Sequence, residues 1–162
     1  MLLEETTVNH APLMIPQLLE LFRYLVAMME RSFDDLPITM KIIKAYILIG
    51  GEEFLHLYGA EVAKIWDAII GNVNHMGMMC TLPIIEMLIQ CFPGAAPHLL
   101  TLVLQKLVII FISGADEIDP AKEAIGAYAG AILARLLIQS SNYFAYLNTE
   151  PSVIVAARQA GG

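Results

Sequence analysis

Charge is what this sequence has least of. Only 15% of its 162 residues are Asp, Glu, Lys or Arg, against 57% hydrophobic. Sixteen acids outnumber nine bases, leaving a formal net charge of −7 at pH 7. With no basic stripe to neutralise phosphates, nucleic acid is excluded as a partner, and basic proteins are the better electrostatic match. Cysteine is scarce too. Cys80 and Cys91 stand eleven positions apart, roughly 16 Å along a helix and beyond disulfide reach. Both are read as reduced, buried thiols of an intracellular protein. The amino terminus lacks the basic start, apolar core and cleavage site of a signal peptide, and no N-x-[ST] sequon occurs. A glycine-rich phosphate loop, a G-x-S-x-G elbow and a Cys or Ser beside a base are all missing. His10, His56, His75 and His98 have no carboxylate or cysteine at a ligand spacing. The expectation is a non-enzymatic protein with no catalytic residue, no cofactor and no metal.

What the sequence has in abundance is helical periodicity. The stretch 81–113 reads as a hairpin whose first helix is opened by Thr81 and Pro83 and stopped by Pro93-Gly94. Its second helix opens at Pro97 and runs almost uninterrupted in Leu, Val, Ile and Phe to Gly114, so it must be covered on most sides. Before it come an amphipathic helix with Leu18, Leu19, Phe22, Leu25, Val26 and Met29 on one face, then a helix terminated by Gly50-Gly51. Residues 52–58 add a short helical turn, and Gly59 leads into a helix through Val62, Ile65, Trp66 and Ile69 that Gly71 to Asn74 ends. Trp66 and Phe22 lie on apolar stripes and are read as core. Asp119 and Pro120 cap and open a last long helix to Gln139. Within it, Gly126 and Gly130 form a small-residue surface for close helix packing.

These hairpins recur. Ile42-Ile43 and Ile84-Ile85 lie 42 residues apart, and Leu18-Leu19, Val62-Ala63 and Leu99-Leu100 are separated by 44 and 37. Two helices per period of this length is the mark of HEAT or armadillo arrays. The predicted fold is therefore all-α, one α-solenoid over 1–162 of about three to four repeats, with hairpins near 12–50, 52–92 and 97–139 and a short terminal piece over 140–162. A polytopic membrane protein is the less favoured alternative. Its best span, 98–115, carries Gln105 and Lys106 at its middle, where a charge costs roughly 2.5–3.5 kcal/mol.

A solenoid without catalytic groups points to a binding scaffold. Second helices of the hairpins would line the concave side, so their polar positions are the candidate protein contacts: Glu20, Arg23, Glu61, Lys64, His98 and Gln105. The acidic loop with Asp116, Glu117 and Asp119 is a secondary contact for Lys or Arg of a partner. Leu2, Leu3, Val153, Ile154 and Val155 leave the ends without polar caps, so the isolated chain is expected to self-associate.

The run AIGAYAGAILARLLIQSSNYF at 124–144, with YILIGGEEF at 46–54 and GNVN at 71–74, resembles the carboxyl-end region of importin-eleven-type receptors in the importin-β (karyopherin) family. The resemblance spans most of the chain. It implies a superhelix of HEAT repeats that shuttles between nucleus and cytoplasm, carrying protein cargo through nuclear pores and releasing it to Ran-GTP. Ubiquitin-conjugating enzymes or basic ribosomal proteins would be the cargo, with nucleoporins as further partners and no membrane. The main Ran surface of such receptors lies in amino-terminal repeats with no counterpart here, which makes this chain look like a carboxyl-terminal fragment or truncated product. The regular Asp and Arg ladder of standard HEAT repeats is also missing. A generic armadillo or HEAT scaffold unrelated to transport is the alternative reading.

Overall fold

The computed structural model describes residues 15–115 and 118–140. Among the described residues six helices follow one another: α1 (Pro16–Met29), α2 (Leu36–Ile69), α3 (His75–Cys91), α4 (Ala96–Leu100), α5 (Leu104–Ala115) and α6 (Pro120–Gln139). No strand occurs among the described residues. Short turns join the helices, so successive elements pack as hairpins: α1 on α2, α2 on α3, and α5 most extensively on α6. Contacts of α3 with both α2 and α6 stack one pair on the next. This is the all-α helical repeat solenoid that the periodicity implied. None of the described helices is long and apolar enough to cross a membrane.

Local sequence explains most of the boundaries. Gly51, at φ 58° and ψ −143°, breaks α2 into two helices meeting at a kink, as the Gly50-Gly51 pair suggested. That backbone region is nearly closed to side-chain-bearing residues. Asp119 accepts a hydrogen bond from the Ala121 amide at 2.9 Å and caps α6, with Pro120 in the first turn. Asn74 does the same for α3, accepting from Gly77 at 2.9 Å.

Four expectations give way. The cap at Asn74 starts α3 at His75, so Thr81 and Pro83 lie inside the helix rather than at its opening. There the Thr81 hydroxyl donates to the Gly77 carbonyl at 2.8 Å. Gly59 begins nothing: it is buried within the second half of α2, where a Cβ would stand 2.6 Å from a methyl of Leu99. Burial of apolar groups outweighs the roughly 1 kcal/mol a helical glycine costs. The helix expected from Pro97 to Gly114 is divided at 101–103, where Val103 donates to Leu100 across a tighter turn and the Thr101 hydroxyl donates to the Pro97 carbonyl. Both cysteines are free, yet neither is fully buried: Cys80 is half-buried, and Cys91 is exposed because it ends α3. The apolar ends at Leu2, Leu3 and 153–155 lie outside the described residues.

One contiguous apolar core runs from Leu19 to Leu136. Trp66, Phe22 and Phe54 are its largest fully buried side chains. Phe22 meets Tyr46, Phe54 and Tyr58 with ring centroids 4.8–5.2 Å apart, joining α1 to both halves of α2. The Tyr46 hydroxyl completes that joint by donating to the Leu18 carbonyl at 2.6 Å.

Candidate functional site

The second half of α2 carries two of the polar groups that the sequence singled out, Glu61 and Lys64. At Gly59 the absent side chain lets Leu99 of α4 settle against the helix. On either side of that contact the surfaces part into an open trough. One end, about 540 Å³, lies between Ala60, Ala63 and Lys64 of α2 and His98, Thr101 and Gln105 opposite. The other, about 560 Å³, has Glu52, Glu53 and His56 facing Ala95 and His98. His98 and Leu99 border both, so the two depressions adjoin across the contact of Leu99 with Gly59. Glu52 to Lys64 is twelve residues, roughly 18 Å of helix. Acid therefore lies at one end and a base at the other, with two imidazoles between. Lys106, one residue beyond Gln105, pins the far wall: its ammonium pairs with Asp67 Oδ1 at 2.8 Å and donates to the Asp67 carbonyl.

The other candidates are more dispersed. Glu61 and Lys64 border a separate groove of about 390 Å³ with Val26, Glu30 and Phe33 at the end of α1, which makes Lys64 the ridge between the two depressions. Glu20 and Arg23 are exposed on α1 and line neither the trough nor this groove. Asp119 is occupied as a helix cap. Asp116 and Glu117 lie outside the described residues.

Sequence reasoning missed Glu52, Glu53 and His56 as members of the trough. The signal was present: 52, 56, 60 and 63 follow one helix face, but a helix start at Gly59 breaks that phase. It also missed the polar joint between α3 and α6. Glu86 accepts from the Tyr128 hydroxyl at 2.7 Å and pairs with Arg135 at 3.0 Å, with 42 residues separating Glu86 from Tyr128. Chemically, the trough can hold an extended or helical protein segment by shape and charge. Among the described residues no group of three His, Cys, Asp or Glu side chains is placed to hold a metal ion.

Comparison with known proteins agrees with a helical-repeat solenoid. Residues 1–155 match the model of a family described as importin-11-like, TPR repeats. TPR and HEAT units are both stacked helix pairs, differing in period. Mouse Importin-11 is 24% identical over 144 residues, covering 89% of this chain and 14% of its own length. Human Importin-11 is 24% identical over the same length and share. The chain thus spans about one-seventh of the length of the curated relatives it matches. No solved structure matches it. On the extent of the family match, this chain belongs to the importin-11-like repeat family.

Proposed function

We propose that this chain is a non-enzymatic, protein-binding segment of a nuclear import receptor, and that the trough along the second half of α2 is its cargo-contacting surface. The family match over 1–155 carries the receptor reading. In this reading the receptor shuttles between nucleus and cytoplasm with protein cargo, and Ran-GTP acts through repeats elsewhere in the full-length protein. The surface is favoured by Lys64, His98 and Gln105 lining one depression, and by Glu52 and Glu53 lining a second that shares His98 with it. A partner with a basic segment fits the Glu52–Glu53 end, as the net charge of −7 also suggests. Glu61 and the groove beside it, Glu20 and Arg23 on α1, and the acidic loop at Asp116, Glu117 and Asp119 are secondary contacts.

The test pairs this chain with the full-length receptor of which it is proposed to be a segment, both as immobilised baits. A purified ubiquitin-conjugating enzyme and a basic ribosomal protein serve as probes, with and without Ran-GTP. Both baits should retain a probe, Ran-GTP should strip it from the full-length protein alone, and Glu52→Lys with Glu53→Lys should weaken retention about tenfold. Retention by the full-length protein alone would make these hairpins structural and remove the trough from the account. Retention by both, untouched by Ran-GTP, would favour a scaffold unrelated to transport.

A further inference from the structure

The two depressions along the second half of α2 carry charge of opposite sign. Glu52 and Glu53 border the first, whose lining holds no Lys or Arg. Lys64 borders the second, whose lining holds no Asp or Glu. All three side chains are exposed, and among the described residues none of them makes an ion pair. Lys106, the next cation along the far wall, is taken up by Asp67. Lys64 is therefore the charge that its depression offers a partner. Glu61 also neighbours Lys64, but in the separate groove on the other side of the ridge.

Distance decides how a partner senses these charges. Glu52 stands twelve residues of helix from Lys64, roughly 18 Å. The Debye length at 0.1 M salt is about 10 Å, so each depression acts on what sits in it and the chain's overall excess of acid is screened. A segment basic along its whole length gains at the Glu52–Glu53 end and sets a cation against Lys64 at the other. Between the ends, Leu99 fills the space left at Gly59, and half-exposed Leu102 stands beside the Lys64 depression, with His98 the polar group common to both. An apolar side chain fits that saddle, where a charged one would lose water without gaining a counter-charge.

We infer that the trough takes a dipolar partner segment: Lys or Arg at Glu52 and Glu53, an apolar side chain on Leu99 and Leu102, and Asp or Glu at Lys64. In extended chain the two charged ends of such a segment are about five or six residues apart, at ~3.3 Å per residue. The inference rests on the reading of the trough as a protein contact, and it adds that the partner's second charge is acidic.

Fluorescence anisotropy of this chain with two labelled peptides in 0.1 M salt tests it. Each peptide has a pair of lysines, an alanine spacer around a central leucine, and a second charged pair. That second pair is glutamate in the dipolar peptide and lysine in the basic one. The dipolar peptide should bind about fivefold more tightly. Lys64→Glu should invert the preference, and Glu52→Lys with Glu53→Lys should weaken both peptides. All three positions are exposed, so helical circular dichroism should stay unchanged in every variant. Equal binding of the two peptides, tighter binding of the basic one, or a preference that survives Lys64→Glu overturns the inference and leaves the trough as a contact. Binding of neither peptide overturns it too. If the ubiquitin-conjugating enzyme and the ribosomal protein are then not retained either, the reading of the trough falls with it.

Discussion

Glu86 is the residue on which the joint between α3 and α6 depends, because its two oxygens accept from different partners. Oε2 takes the Tyr128 hydroxyl and Oε1 the Arg135 guanidinium. Burial first, then the hydrogen bond and negative charge of Glu86, push the Tyr128 hydroxyl up to about 12, and Arg135 offsets part of this. The folded state thus holds this proton more tightly than the unfolded chain, where the group titrates near ~10. The stability it contributes is fully present below pH ~10 and is lost as pH rises from there to about 12. Tyr46 is raised as well, by burial and then by Tyr58, so it adds to the same alkaline loss. Tyr128→Phe should cost about 1–2 kcal/mol at neutral pH, at the low end because Arg135 still satisfies Glu86. It should also flatten the decline above pH 10. Urea midpoints measured at pH 8, 10 and 11 check both; an unaltered slope in the variant would remove Tyr128 from the account.

Between elements, the closest approach of α5 and α6 is made by glycine on glycine. A Cβ at Gly126 would stand 2.8 Å from the Gly114 Cα, and one at Gly114 would stand 2.7 Å from the Gly126 Cα. Backbone cannot step aside, so Gly126→Ala must part the helices. The expected net cost is about 1–3 kcal/mol despite the roughly 1 kcal/mol of helix propensity gained. Gly130→Ala makes an equally short contact, at 2.7 Å, but with the ring of Phe111, which is nearly half exposed and can swing. There the propensity gain offsets the shift, and the change should stay within about 0.5 kcal/mol. Thermal melts of the two variants separate them; equal midpoints would mean that α5 yields more readily than its packing implies.

This packing was legible in the sequence, since Gly126 and Gly130 among alanines specify a small-residue surface. So were the Gly51 break and the Asp119 cap, each a local rule acting alone. What escaped were places where tertiary burial overrode a local breaker. Gly59 and Pro83 both punctuate a sequence, yet the core closes around each, and misplacing Gly59 hid the phase that brings Glu52, Glu53 and His56 to Lys64. Long-range polar pairs such as Lys106 with Asp67 had no local signal at all.

At the scale of the whole molecule, the question is whether this stack unfolds as one body. A solenoid whose repeats touch only their neighbours can fray from either end. Here one contiguous core extends from Leu19 to Leu136, and α3 packs on both α2 and α6. Polar links reinforce those contacts across the layers, with Lys106 bound to Asp67 and the Gln139 amide donating to the Ile89 carbonyl. Trp66, the single tryptophan and fully buried in α2, reports on the middle of the stack without a label. If the core is cooperative, a cavity cut in the last helix must be felt at that tryptophan. Leu136→Ala, at a fully buried position seventy residues further along the chain, should cost about 2–5 kcal/mol. It should also move the Trp66 fluorescence midpoint in urea by as much as the circular dichroism midpoint. A fluorescence transition left in place while part of the helical signal melts early would show that the α5–α6 pair unfolds by itself.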